Sequence, residues 1–204
     1  MFSVIFELQP RAEQRDAFRQ SAEIVRLEVQ DAPGFVESAR YASLSREGWF
    51  LSLSIWEGEK AAIHGRTEAL DQRAVATLSG YHLRDGRIVY DTGLPDGAQR
   101  IQQPVASMGT GEGTAIVLID ARQIHEWVSA RNPQEIATFL GFDHNSFGDC
   151  ISWDVFEAVQ NPGDLVLLVV WKDQTSALEF AQSAIVPDNA RVRVVQVMRD
   201  TTHG

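Results

Sequence analysis

The residues best suited to chemistry surround a tryptophan at the end of a strand-like segment. Polar and aliphatic residues alternate along FLSLSIWEG (50–58). Successive side chains of a strand point to opposite faces, so the segment is predicted to be a strand with two unlike faces. One face carries Ser52, Ser54 and Trp56, and the other carries Leu51, Leu53 and Ile55. The mixed face therefore borders either solvent or a partly polar cavity.

Four residues that follow could move a proton or stabilise an anion. His64 stands eight residues after Trp56, and an imidazole accepts a proton near neutral pH. Arg66 could stabilise the anion that deprotonation leaves, although positions i and i+2 do not share a helix face. Tyr81 and His82 are the substitutes, and strand alternation lets only one of them face the same side as Trp56. The alternative for His64 and Arg66 is an ordinary exposed position on a surface helix.

Other reactive side chains give weaker signals. Glu7 lies in an apolar strand, where it is either a base with a raised pKa or, as the more common case, part of a salt bridge. His125 and His144 share no tight ligand spacing, so no metal site is predicted. Cys150 has no histidine near it in sequence and is expected to be a small buried residue.

Composition and charge restrict the class of protein. The chain has 204 residues, 44% of them hydrophobic and 23% charged, which is typical of a globular protein. A formal charge of −10 and only two lysines argue against nucleic-acid binding. No apolar run is long enough to span a membrane, and MFSVIFELQPR reads as a first strand rather than a signal peptide. A single cysteine fits a reducing cytoplasm, which is the expected location.

The chain repeats one plan twice. Strands ending in Trp56 and Trp171 are each followed six residues later by an alanine, and RIVYDT (87–92) returns as QVMRDT (196–201). Each copy is predicted to run strand, helix, strand, strand, helix, strand. The second helix of the first copy is predicted at about 59–78, and Asp85 and Gly86 favour a kink or turn in the strand that follows. Asn132, Pro133 and Glu135 predict the capped start of a helix over 134–141 in the second copy. We predict a first domain over 1–93, a Gly- and Pro-rich linker over 94–113, and a second, degenerate domain over 114–204.

A βαββαβ unit forms a four-stranded antiparallel sheet with both helices on one face. The bare face of each sheet then needs a partner, and two copies in one chain can cover each other. The sequence therefore predicts an α+β fold in which two ferredoxin-like units pack sheet to sheet as a pseudo-two-fold barrel. This pseudo-dimer lies within one chain, and a further homodimer is an open alternative.

Several segments resemble the antibiotic biosynthesis monooxygenase superfamily, whose members form ferredoxin-like, dimeric α/β barrels. The segments that carry the resemblance are VIFELQP (4–10), PGF (33–35), LSLSIWEGEKAA (51–62), RIVYDT (87–92) and VQVMRDT (195–201). The resemblance covers nearly all of 1–93 and, more loosely, 114–202. In that family the ligand cavity lies between sheet and helices, and a tryptophan that closes the third strand stands at its edge. The resemblance thus implies Trp56 for the first copy and Trp171 for the second.

The resemblance also implies a reaction. Family members include oxygenases of aromatic polyketides that need neither metal nor flavin, so we expect a monooxygenase acting on a small aromatic, quinol-type or otherwise hydrophobic molecule without a cofactor. His64 would be the base, Arg66 or a serine hydroxyl would stabilise the anion, and Trp56 would border the cavity. The corresponding strand of the second copy has only apolar side chains apart from its indole, so we expect the site in the first copy. A ligand-binding or stress-related barrel without turnover is the rival.

Haem binding or degradation is a third hypothesis. Haem-degrading relatives are expected to have a helix histidine about ten residues after the strand tryptophan and an asparagine on the first strand. This sequence has His64 two positions early, and Phe6 and Glu7 stand where the asparagine would fall. Both departures disfavour haem degradation, while an imidazole remains a competent iron ligand.

Overall fold

The structure, a computed structural model, describes residues 1–20, 31–69, 75–94, 115–122, 132–143 and 148–204. The strands of this part of the chain are β1 Phe2–Pro10, β2 Phe35–Ser43, β3 Phe50–Trp56, β4 Leu78–Asp91, β5 Ala115–Ala121, β6 Cys150–Ala158, β7 Leu165–Trp171 and β8 Arg191–His203. Its α-helices are α1 Arg15–Gln20, α2 Glu59–Ala69, α3 Pro133–Phe139 and α4 Gln174–Ser183, and a 3₁₀ turn, Ala12–Gln14, precedes α1. None of these helices is long and apolar enough to cross a membrane.

The eight strands form one closed antiparallel barrel in the order β1-β3-β2-β6-β7-β5-β8-β4. The first half of the chain contributes β4-β1-β3-β2, and the second half contributes the same order, β8-β5-β7-β6. Two seams join the halves, β2 with β6 and β4 with β8. The predicted α+β barrel built from two ferredoxin-like sheets within one chain is confirmed. The domain limits at 93 and 114 stay predictions, because residues 95–114 lie outside the described part.

The middle of the barrel interior is a mostly aliphatic core. Its buried residues come from both halves and are Ile5, Tyr41, Leu51, Leu53, Ile55, Ile116, Leu118, Phe156, Ala158, Val166, Leu168, Val170, Val195 and Val197. The apolar face predicted for β3 therefore points into the barrel, as the alternation indicated. Burial of these side chains against the opposite sheet is the main force that holds the halves together.

Helices cover the outer face of each half and form two further cores. The first contains Phe2, Val4, Phe6, Leu8, Phe50, Trp56, Ala62, Leu78 and Leu83. The second centres on β5 and β7 and includes Trp171, Ala177 and Phe180. Each strand thus separates a barrel-facing row of side chains from a helix-facing row.

Two element boundaries differ from the sequence-based prediction. The second helix, predicted to reach Leu78, is wrong at its end, because Leu78 opens β4 and is buried in the first helix-facing core. Of the kink or turn predicted at Asp85 and Gly86, the turn does not form, because β4 continues through both residues, but the strand is irregular there and its register with β8 shifts. The burial of Leu78 outweighs the local preference for a longer helix, and the strand pairing of Gly86 outweighs the local preference for a turn.

The cap predicted for the helix near Pro133 is confirmed. The Asn132 side chain accepts a hydrogen bond from the Glu135 backbone N–H, and the Glu135 carboxylate accepts one from the Asn132 N–H. Pro133 occupies the first helical turn, where the missing N–H costs nothing.

Candidate functional site

The helix-facing side of β2, β3 and β4 in the first half carries a mixed polar and aromatic surface, which we call the Trp56 wall. Residues opposite each other in antiparallel strands share a face, and Arg40 lies opposite Ser52 as Ser38 lies opposite Ser54. The wall consists of Ser38, Arg40, Ser52, Ser54, Trp56 and Tyr81. Residues 21–30 and 70–74, which follow α1 and α2, lie outside the described part, so the wall is described from its sheet side.

Trp56 and Ser54 form a hydrogen-bonded pair at the centre of this wall. The indole is 1% exposed, and its Nε1 donates to Ser54 Oγ at 2.9 Å. Phe35 packs edge-on against the indole, with 5.5 Å between ring centroids. Because the Ser54 oxygen accepts this bond, its own proton can be donated to another acceptor. Ser52 is half-buried on the same face.

Arg40 is the cation of the wall, and the sequence analysis missed it. Its Nη1 donates to the Phe18 carbonyl oxygen at 3.0 Å, and its guanidinium lies 4.1 Å from the centre of the Phe18 ring. Burial lowers the pKa of Arg40 to about 10, so the group stays charged at neutral pH. The hairpin register could have found it, since pairing β2 with β3 through the turn at Gly48 sets Arg40 beside Ser52.

His64 and Arg66 lie on α2, which rests on the wall through Ala62. Ala62 is fully buried in the same core as Trp56. The His64 side chain is exposed to solvent. Arg66 belongs to the same helix, and its side chain lies outside the described part.

Tyr81 and His82 point to opposite faces of β4. Tyr81 packs edge-on against Phe6, with 5.7 Å between ring centroids, and so belongs to the Trp56 wall. His82 faces the barrel interior, where its Nε2 lies 2.6 Å from Asp200 Oδ1 and its Nδ1 lies 2.5 Å from Arg84 Nη2. Since Arg84 can only donate, Nδ1 accepts and the proton of the neutral imidazole sits on Nε2.

Trp171, the second-half counterpart of Trp56, lies in a purely apolar setting. It is 2% exposed and tilts against Phe180 with 5.2 Å between ring centroids. Leu165, Leu167 and Val169 share its face and its core. The contrast with Ser52 and Ser54 leaves the first half as the better candidate for a polar site.

A buried ionic network lies at one end of the barrel interior. We call this end the Glu7 mouth and define it by Glu7, Arg46, Arg84 and Asp154. Glu7 accepts from Arg84 Nη1 at 2.7 Å and from Arg46 Nη2 at 2.5 Å, and Arg46 Nε donates to Asp154 Oδ2 at 2.7 Å. Burial pushes the pKa of Glu7 upward, but the two guanidiniums outweigh it and hold that pKa below its usual value. Glu7 is therefore an ion-paired carboxylate, and the hypothesis of a base with a raised pKa is wrong.

The opposite end, the Tyr41 mouth, contains a cavity of about 440 Å³ between the two halves. Arg193 forms its polar edge, donating to Asp120 at 2.6 Å and to Glu37 at 3.2 Å. Arg191, another residue that lines the cavity, donates two hydrogen bonds to Asp91, from Nη2 at 2.7 Å and from Nε at 2.8 Å. Neither mouth could be predicted from the sequence, because the side chains that pair there come from strands that lie far apart along the chain.

Among the described residues, no group of three or more His, Cys, Asp or Glu side chains could hold a metal ion. His125 and His144, which the sequence analysis also considered, lie outside that part of the chain. Cys150 opens β6, and burial raises the pKa of its thiol, which leaves it a weak nucleophile.

The closed eight-stranded barrel with helices on its outer faces defines an α+β barrel of the ferredoxin-like type. The family model described as antibiotic biosynthesis monooxygenase matches residues 1–76. A jasmonate monooxygenase of Pyricularia oryzae is 32% identical over an alignment of 221 residues that spans 98% of this chain and 92% of that protein. The chain belongs to the antibiotic biosynthesis monooxygenase family, and this membership supports a monooxygenase.

One solved structure shares the fold at low sequence identity, and a second one matches more weakly. An aldoxime dehydratase in complex with butyraldoxime superimposes with a TM-score of 0.51 and 11% identity, covering 97% of this chain and 79% of that one. An anthrone oxidase-like protein matches with a TM-score of 0.37 and 11% identity over 100% of this chain and 93% of its own. At these identities the likeness concerns the fold alone.

Proposed function

We propose that this protein is a monooxygenase that oxidises a small, electron-rich aromatic or quinol-type molecule with dioxygen at the Trp56 wall, without metal or flavin. The observation that carries the proposal is the Trp56–Ser54 hydrogen bond on the face that also holds Arg40. It leaves a hydroxyl donor and a guanidinium on the same surface as the aromatic rings of Trp56 and Tyr81. Such a surface suits a flat substrate that becomes an anion during the reaction.

The reaction balances without an external reductant. A base removes the proton of a phenol-like hydroxyl, and the resulting anion bonds to dioxygen through a ring carbon that bears hydrogen. Protonation gives a hydroperoxide; loss of the carbon-bound proton then breaks the O–O bond, forming a carbonyl and releasing water. The substrate supplies all four electrons that dioxygen accepts.

His64 is the base of this proposal. Its helix packs on the core that contains Trp56, and because His64 is exposed two positions from the buried Ala62, this role requires the reacting hydroxyl to lie at the rim of α2. Ser54 and Arg40 stabilise the anion from the wall, and Arg66 is a second cation for that role. The chain acts on this substrate as an intrachain pseudo-dimer. Its proposed location is the cytoplasm, because a chain with a single cysteine fits a reducing compartment.

A carboxylate-bearing aliphatic substrate is the second candidate. The relative from Pyricularia oryzae is named a jasmonate monooxygenase. Arg40, the cation of this wall, could bind the carboxylate of such a molecule. Hydroxylation of a saturated carbon needs two electrons beyond those of the substrate, so a two-electron donor such as a reduced nicotinamide or flavin must be added.

Haem binding and ligand binding without turnover compete with both of these reactions. The first-strand position where haem-degrading relatives are expected to carry an asparagine does not fit a haem site, because Glu7 is committed to Arg84 and Arg46. Titration with haem tests the haem hypothesis directly, since the Soret band of haem shifts when a protein ligand binds the iron and stays in place when none does.

The decisive experiment measures oxygen uptake with a panel of dihydroxyaromatics in the metal-free protein. We expect uptake with a 1:1 ratio of oxygen to quinone, loss of uptake in His64→Ala, and unchanged uptake in Lys60→Ala, which alters another exposed position of α2. If every phenol is inert while jasmonate is consumed only with an added reductant, the second candidate replaces the first. Binding without consumption of any compound would leave a non-catalytic barrel.

A further inference from the structure

The Tyr41 mouth has the composition of a ligand site. Its cavity of about 440 Å³ is comparable with pockets that hold small molecules. Leu53, Ile55 and Ala158 supply apolar walls, and Asn161 and Asn189 stand among the polar lining residues. Residues of both halves take part, so the cavity exists only because the barrel closes.

Tyr41 brings a hydroxyl to this cavity from the seam between the halves. Tyr41 lies opposite Ala158 of the second half and is 9% exposed. Within the described part of the chain its hydroxyl has no hydrogen-bond partner, although the residue lines the cavity. Burial and the nearby Asp120 raise the pKa of Tyr41, so the phenol remains protonated and can donate. The hydroxyl oxygen is not among the described side-chain atoms that are fully buried without a partner, so it opens into the cavity, where an occupant with an acceptor oxygen can take a hydrogen bond from it.

Two of the guanidiniums around the cavity are already paired with carboxylates. Arg193 is bonded to Asp120 and Glu37, and Arg191 is bonded to Asp91. The lining includes three guanidiniums, Arg122, Arg191 and Arg193, and three carboxylates, Glu37, Asp120 and Asp164. An anionic ligand would have to compete with these carboxylates, whereas an uncharged one would disturb no ion pair.

We propose that the Tyr41 mouth is a second ligand site, which binds a compact, uncharged, largely apolar molecule through a carbonyl oxygen that accepts the Tyr41 hydroxyl proton. The site is separate from the Trp56 wall, because Leu53 and Ile55 point to the barrel interior while Ser52 and Ser54 point to the helices. The thickness of the β-sheet divides the two. The proposal therefore does not depend on the reaction at the Trp56 wall.

The test uses 1-tetralone, a bicyclic ketone that carries no charge, as the probe. Binding to the full chain is followed by the methyl NMR signals of leucine and isoleucine. We expect tetralone to shift the signals of Leu53 and Ile55 and to leave those of Leu8 and Leu83, on the helix-facing side, in place. Tetralin, which lacks the carbonyl, and 1-naphthoate, which is anionic, should each bind at least about fivefold more weakly.

Two variants localise the contact. Tyr41→Phe removes only the hydroxyl and should weaken tetralone binding roughly fivefold while tetralin binding stays unchanged. Ala39→Leu places a larger side chain in the cavity and should abolish binding of both. Oxygen uptake at the Trp56 wall should persist in Tyr41→Phe, which keeps the outcome distinct from that of the proposed function.

Three results would overturn the second site. Tetralone that shifts only helix-facing methyl signals would place it elsewhere. Equal affinity of Tyr41→Phe and the native chain for tetralone would remove the hydroxyl from recognition. Tighter binding of 1-naphthoate than of tetralone would show that the lining guanidiniums, rather than Tyr41, select the ligand.

Discussion

Arg84 Nη1 donates to Glu7 Oε1 at 2.7 Å, and the two side chains are 5% and 8% exposed. This pair joins β1 to β4 inside the barrel, and Arg46 connects it to Asp154 of the second half. The interior of the protein is therefore not uniformly apolar, since charged groups at one end link strands of both halves. Removing one partner leaves a charge that is far from water.

Replacing Arg84 with methionine should destabilise the fold strongly. Glu7 would keep only Arg46, and breaking a buried ion pair on one side costs about 3 kcal/mol. Urea denaturation followed by circular dichroism measures this loss. The double variant Glu7→Gln, Arg84→Met should recover part of it, because no unpaired carboxylate remains. Equal stability losses in the single and double variants would contradict a coupled pair.

Stability should decrease as the pH falls below about 6.5. Burial and the Arg84 charge lower the pKa of His82 from 6.5 against the opposing Asp200, so the unfolded chain binds this proton more readily than the folded one. Stability is therefore lost as the pH falls from 6.5 through the folded pKa. The ion-paired Glu7 adds a second loss below its ordinary pKa of 4.5. Thermal unfolding between pH 8 and about pH 2 measures both.

His82→Gln separates these two contributions. Glutamine can still donate to Asp200 and accept from Arg84, but it does not titrate. The decrease in stability just below pH 6.5 should become smaller in this variant, and the decrease below pH 4.5 should remain. An unchanged profile would show that His82 does not contribute.

Replacing Gly86 with alanine should weaken the seam between β4 and β8. A Cβ at this position would overlap the Gln196 carbonyl oxygen and crowd Val195, so the strands would have to separate locally. We expect a loss of about 1–3 kcal/mol in the free energy of unfolding. Gly58→Ala is the matched control, because a Cβ there meets no atom within 4 Å. Equal effects of the two substitutions would argue against close approach at the seam.

Arg40→Gln should distinguish the two substrates proposed for the Trp56 wall. If Arg40 stabilises an anion that forms during the reaction, kcat should fall about 10²-fold with phenolic substrates. If it binds a carboxylate equally well in the ground state and the transition state, KM should rise and kcat should stay the same. Steady-state oxygen uptake measures both constants. Lys172→Gln, which removes an exposed cation in the second half, should change neither.

Strand alternation was sufficient to predict the faces of β3. Leu51, Leu53 and Ile55 lie in the barrel core, while Trp56 lies in the helix-facing core, as the period of two required. The cap at Asn132 was likewise readable from local sequence. Such features depend on residues a few positions apart, so no tertiary information was needed.

Residues that act through distant partners were not predictable in the same way. Arg40 joins the Trp56 wall through the register of β2 with β3, and Glu7 meets Arg84 across 77 positions of sequence. The end of the helix before Leu78 was also misjudged, because its burial in the core decides the start of β4. Charge pairing and burial depend on which strands become neighbours.

The sequence by itself determined the strand periodicity, the repeated βαββαβ order and the family resemblance, because each follows from the spacing of nearby residues or from the collinear repeat. Only the tertiary structure decided which charges neutralise each other at the Glu7 mouth and which hydroxyl opens into the Tyr41 mouth. Both mouths form where strands of different halves meet around the closed barrel. Their chemistry follows from strand neighbours that no short stretch of sequence specifies.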